Sequence, residues 1–218
     1  MTEILLINPN ASEATTAMMV EIAAANLPPG FSVRGATARR GPTMIVNETE
    51  LAAASNEVMD VVRGAGASHA AIIISAFGDP GIERVRAHVR VPVAGIAESS
   101  MLEASAGGTR RFGVATVTPD LVAAIDGRAA SAGLRGMYTG IRLTDGDPRA
   151  LAAEPDRLTA ALGVAVQRCI DDGAEAVIIG GGPLGQAALA LAGRFSVPVI
   201  APIPAAVRYV LEQLKQHM

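Results

Sequence analysis

The chain has 218 residues, half of them hydrophobic and only 3% aromatic, with a formal net charge of −3. That length suits one two-lobed domain or two small ones with a substantial core, while the lack of a basic stripe and of aromatic rings argues against nucleic-acid binding. No charge-free run approaches the roughly 20 residues that span a bilayer, and the opening Met1-Thr2-Glu3-Ile4 has no basic region before a short apolar run, so a cytoplasmic protein without a signal peptide is expected.

Glu3 to Asn8 reads as a first buried strand, and Asn8-Pro9-Asn10-Ala11-Ser12 as a turn with helix-start chemistry in which Ser12 caps a helix to about Asn26. Pro28-Pro29-Gly30 stops that helix, Phe31 to Thr37 alternates like a strand, Arg39 to Thr43 is a basic loop, and Glu48 to Arg63 is helical. The predicted strand Ala70 to Ser75, with an apolar run of four ending at Ser75, then breaks into Ala76-Phe77-Gly78-Asp79-Pro80-Gly81, as a buried parallel strand does where it opens into a loop. A helix over Ile82 to Val89, a strand over Val93 to Ile96 and a helix over Glu98 to Ala106 follow.

Phe112 to Thr116 is the next strand, with the polar helix start Thr116-Val117-Thr118-Pro119-Asp120 behind it. Leu121 to Ser131 is predicted helical, Leu134 to Leu143 strand-like, Thr144 to Pro148 a loop, and Asp156 the cap of a long helix to about Asp171. The strand Ala176 to Ile179 runs into Gly180-Gly181-Gly182-Pro183, and a helix over Ala187 to Ala192, a strand over Pro198 to Ala201 and a helix from Pro204 to Gln216 close the chain.

Strands and helices alternate throughout, which predicts an α/β fold with parallel sheets flanked by helices. The pattern also repeats. Ser75 and Gly180 end equivalent strands 105 residues apart, and the Val-Pro-Val prolines, Pro92 and Pro198, are 106 apart. The repeat predicts two pseudo-symmetric lobes with a cleft between their strand-end loops, where open α/β sheets bind ligands. The first lobe is expected over 1–97 plus the terminal helix at about 204–218, and the second over 98–203.

Several residues near those loops carry chemistry, each with a plainer role beside it. Gly180, Gly181 and Gly182 leave backbone N–H groups open to an anion, or simply make a tight turn. Ser75 is a hydrogen-bond donor or nucleophile, or a buried hydroxyl bonded to backbone. No histidine is near it in sequence and no G-x-S-x-G surrounds it, so a hydrolase elbow is not supported. Asp79 and Glu98 are candidate acid–base groups, or a turn aspartate and a helix-start glutamate. Asn8 and Asn10 are ligand contacts or caps, and Thr116 and Thr118 offer hydroxyls to a carboxylate beside the N–H of Val117. Cys169 lies inside a helix as a small hydrophobe and leaves no partner for a disulfide. His69, His88 and His217 lack metal-ligand spacing, so no metal is expected.

Ile7 to Ser12, Phe77 to Gly81, Pro92 to Glu98 and the glycine loop at 176–185 together resemble the hydantoin racemase branch of the aspartate/glutamate racemase superfamily. The resemblance spans nearly the whole chain. It implies two pseudo-symmetric lobes, cofactor-free chemistry at a carbon beside a carbonyl, and frequent homo-oligomers. It also implies a thiolate/thiol pair, one cysteine per lobe, on opposite faces of the reacting carbon. The positions matching those cysteines are Ala76, before Phe77, and Gly181 in the glycine loop, so neither thiol is present. The related arylmalonate decarboxylases lack the first cysteine and keep the second.

The expectation is therefore a cofactor-independent enzyme acting on a small carboxylate or cyclic amide without thiol catalysis: a lyase, decarboxylase or ring-opening hydrolase. Ser75, Asp79 and Glu98 are its candidate catalytic groups. Asn8, Asn10, Ala76, Phe77, Thr116, Val117, Thr118, Gly180, Gly181 and Gly182 would line the site. The alternatives are an isomerase using a carboxylate or water in place of a thiol, and a small-ligand binder without turnover.

Overall fold

The computed structural model describes residues 1–66 and 68–216. Eight strands and nine α-helices alternate among these residues: β1 (Thr2–Asn8), α1 (Glu13–Ala24), β2 (Phe31–Thr37), α2 (Glu48–Gly64), β3 (Ala71–Ile74), α3 (Ile82–His88), β4 (Val93–Gly95), α4 (Ile96–Ala104), β5 (Phe112–Thr116), α5 (Val122–Ser131), β6 (Tyr138–Leu143), α6 (Pro148–Ala152), α7 (Pro155–Asp171), β7 (Ala176–Ile179), α8 (Gly185–Leu191), β8 (Val199–Ile200) and α9 (Pro202–Gln216). They form two four-stranded parallel sheets in the same order, β2-β1-β3-β4 and β6-β5-β7-β8. The repeat is visible in single bonds. Ser75 N–H donates to the Ile7 carbonyl at 2.9 Å at the end of β3, and Gly180 N–H to the Ala115 carbonyl at 2.8 Å at the end of β7.

Each sheet is apolar on both faces, as parallel strands covered by helices must be. Leu5, Ile7, Ile72 and Ile74 pack against Val58 and Val62 of α2 on the outer side of the first sheet. Val177 and Ile179 do the same against Leu162 and Val166 of α7 in the second. The inner faces share one core, in which Ile4, Leu6 and Ile73 join Phe112, Val114 and Ile178 through Met101 of α4 and Val207 of α9. Two helices make that union. α4 follows β4 yet packs on β7, β8 and α5 of the second half, and α9 follows β8 yet packs on β3, β4 and α1 of the first.

The structure departs from the predicted elements where caps come from elsewhere. α4 starts at Ile96 rather than Glu98, because the Asp79 carboxylate accepts from Ala97 N–H at 2.9 Å and Glu98 N–H at 2.8 Å and caps the helix across 18 residues. α7 is entered from Glu154 with no side-chain cap. Asp156 sits in its first turn behind Pro155, whose missing N–H and fixed φ suit the first helical position. The expected 144–148 loop continues into α6, capped by Asp147. Of the strand-like stretch 134–143 only Tyr138–Leu143 pairs, since Leu134 and Met137 are joined in a turn. α9 begins two residues early at Pro202, and a 3-10 turn at Gly182–Leu184 leads into α8. No helix among the described residues is long and apolar enough to cross a membrane.

Candidate functional site

Four strand ends converge on one cavity. Asn10 comes from the loop after β1, Ser75, Ala76 and Phe77 from the loop after β3, Val117, Thr118 and Leu121 from the segment after β5, and Gly180 to Leu184 from the loop after β7. Met44 and Ile45, between β2 and α2, and Leu51 of α2 complete the wall. Ala76 and Gly181 thus share a chamber. Its floor is tight: a Cβ on Gly182 would stand 2.5 Å from the Ser75 carbonyl oxygen, and one on Gly180 would stand 3.0 Å from Cε1 of Phe77. Only glycine permits this approach of the two loops.

The roof comes from the first half and is tied to the second. Ala11 N–H holds the Pro42 carbonyl at 2.9 Å, Met44 packs against the outer core of the second half, and Glu50 of α2 meets Arg149 of α6 at 3.3 Å.

The polar groups of the wall are preset. Asn8 is fully buried and lies off the cavity, where its amide nitrogen donates to Asn10 Oδ1 at 2.9 Å and to Thr16 Oγ1 at 3.0 Å. Asn10 Oδ1 accepts a second bond from Ser12 N–H at 3.0 Å. With its oxygen so engaged, Asn10 has its amide nitrogen left to donate. Thr116 is also off the cavity, and its hydroxyl donates to the Gly180 carbonyl at 2.6 Å, which fixes the glycine loop. Thr118 does line the cavity, and its hydroxyl makes only a 3.4 Å contact with that of Thr116. The backbone N–H groups of Ala76, Phe77, Val117, Thr118 and Gly182 have no partner among the described residues. Gly180 and Gly181 differ from expectation here, because their N–H groups donate to the Ala115 carbonyl at 2.8 Å and the Ile179 carbonyl at 3.1 Å.

The three expected catalytic side chains are not available as acid–base groups at the cavity. Ser75 lines it, but its hydroxyl proton is committed to the Ile7 carbonyl at 2.9 Å and no base lies beside it. Asp79 lies off the wall, wholly buried as the cap of α4. Burial pushes its carboxyl up to about 7, against the pull of the Ala97 and Glu98 N–H groups and of Arg128, whose Nε is 4.0 Å away. Glu98 also lies off the wall, paired with Arg86 at 2.6 Å. No lining residue carries an ionisable side chain.

Cys169 is buried against the second sheet, where burial pushes its thiol up to about 12 and keeps it inert. Among the described residues no group of histidine, cysteine or carboxylate side chains could hold a metal, and His217 lies outside them. Sequence reasoning missed Met44, Ile45, Leu51, Leu121, Pro183 and Leu184. The one signal was the apolar run Met44-Ile45-Val46 between β2 and α2.

The profile of a family described as Asp/Glu/hydantoin racemase matches residues 4–210. A hydantoin racemase from Paenarthrobacter aurescens is 27% identical over 208 residues, covering 94% of this chain and 88% of the relative. Among solved structures, an allantoin racemase from Klebsiella pneumoniae superposes with a TM-score of 0.91 at 27% identity, over 100% of this chain and 89% of its own. One from Pseudomonas fluorescens gives 0.93 at 25% identity, over 100% and 92%.

Proposed function

This chain belongs to the Asp/Glu/hydantoin racemase family, and on that premise we propose that it is an isomerase of cyclic ureides of the hydantoin type, working without a thiol pair. The observation that carries the proposal is a cavity with preset donors at the strand ends and no charged side chain in its wall. A free amino acid would have to bury its ammonium there without a carboxylate, which is very costly. A neutral ring would not.

The ring carbonyl beside the exchanging C–H accepts from the Asn10 amide nitrogen and from the unpartnered N–H groups of Val117, Thr118 or Gly182. The C–H electrons pass into that carbonyl as the proton leaves to water, and the donors stabilise the enolate oxygen. Return of a proton from water to either face regenerates the ring. Ala76 and Gly181 have no proton to exchange, so the rate rests on electrostatics and falls below that of a thiol pair. The relatives' names favour isomerisation over the ring opening and decarboxylation first expected.

The test is hydrogen–deuterium exchange at the ring carbon of 5-substituted hydantoins in heavy water, followed by NMR together with decay of optical rotation. Exchange above the buffer rate is expected, falling about 100-fold in Asn10→Ala. Tight binding in a thermal-shift assay with no exchange would instead establish a binder without turnover. A cytoplasmic homo-oligomer needing no cofactor is part of the same proposal, and light scattering checks the assembly.

A further inference from the structure

Beside Gly181 the space is occupied: a Cβ built there would stand 2.9 Å from Cγ and 3.0 Å from Cδ1 of Leu184. The backbone is not what excludes a side chain, since Gly181 has the extended angles φ 166° and ψ 135°. Leu184 is 2% exposed and lines the cavity. Its N–H bonds back to the Gly181 carbonyl at 3.2 Å in the 3-10 turn. The next residue, Gly185, is so close to α1 that a Cβ on it would stand 2.7 Å from Cδ1 of Ile22. The turn therefore holds Leu184 over Gly181 from both sides.

We infer that Leu184 is the specificity-determining residue of this cavity. Its isobutyl group stands in the volume a side chain at position 181 would take. It forms part of the second-lobe wall against the ring and limits the substituent the ring can carry. The choice of hydantoins as probes rests on the proposed function, whereas the geometry does not.

The first arm compares the wild type, Leu184→Ala and Leu184→Met with 5-methylhydantoin and 5-benzylhydantoin, by thermal shift and by exchange kinetics. Leu184→Ala is expected to raise the preference for the benzyl over the methyl ring about tenfold or more, through KM rather than kcat. Leu184→Met should restore the wild-type ratio. An unchanged ratio, or an equal effect on both rings, overturns the inference.

The second arm needs no ligand. Gly181→Cys and Gly181→Cys/Leu184→Ala are treated with iodoacetamide, with the wild type, whose Cys169 is buried, as the blank. Protection in the single variant and labelling in the double are expected, and equal labelling overturns the inference. If only the double variant folds, the collision with Leu184 is seen directly. If neither folds, the first arm decides. If the wild type neither binds nor exchanges any hydantoin, the proposed function falls while the labelling result still decides the role of Leu184.

Discussion

After β3 the chain turns through Gly78 and Asp79 at positive φ, 136° and 50°, and a buried carboxylate ties the loop to the first turn of α4. After β7 the equivalent loop has no carboxylate. It is held by the Thr116 hydroxyl on Gly180, by glycines pressed against Ser75 and Phe77, and by Leu184 over Gly181. One side of the cleft is therefore secured by charge and hydrogen bonds and answers to pH. The other is secured by close packing and answers to volume. A duplicated scaffold keeps its strand order while the two loops that meet at the cavity adopt different physics.

The largest way to break this contrast is on the charged side. A Cβ at Gly95 would overlap the Asp79 carboxylate, which cannot swing away because two N–H groups hold it. Gly95→Ala should cost about 3 kcal/mol or more in urea unfolding.

Next is the pH dependence of the same carboxyl. Its pKa is higher in the folded protein, about 7, than the ordinary 3.8, so the fold binds this proton more tightly than the unfolded chain does. Asp79 contributes stability that is complete below about pH 4 and lost as pH rises to about 7. The urea midpoint of the wild type, relative to Asp79→Asn, should therefore fall across that window. A difference that rises or stays flat would refute the assignment.

On the packed side, Thr116→Val removes one buried hydrogen bond to Gly180 and should cost about 1 to 2 kcal/mol, with no pH dependence between 4 and 7. The smallest effect belongs to the bridge across the roof. Glu50→Gln loosens a half-exposed pair with Arg149 and should cost about 0.5 kcal/mol or less, less still in high salt.

The frame was legible in the sequence because its signals are local. The strands Phe112–Thr116 and Ala176–Ile179 have the predicted ends, and the 105-residue repeat foretold two matching sheets. The site was legible only in part. Asn10, Ala76, Phe77, Val117, Thr118 and the three glycines do line the cavity. Asp79 and Glu98 misled because carboxylates at helix starts look alike whether they face a ligand or the chain itself. Only the contact from Asp79 to Ala97 and Glu98 tells them apart. Leu51, Leu121 and Leu184 were hidden because an apolar residue on a cavity wall has the same composition signal as one in the core.

The exchange of α4 and α9 between the sheets makes each half depend on the other. A single half expressed alone, ending in its own last helix, would leave bare the sheet face that the other half now covers. Two copies could repair this only by lending each other that helix, so an isolated half should be found as an intertwined dimer or not folded at all.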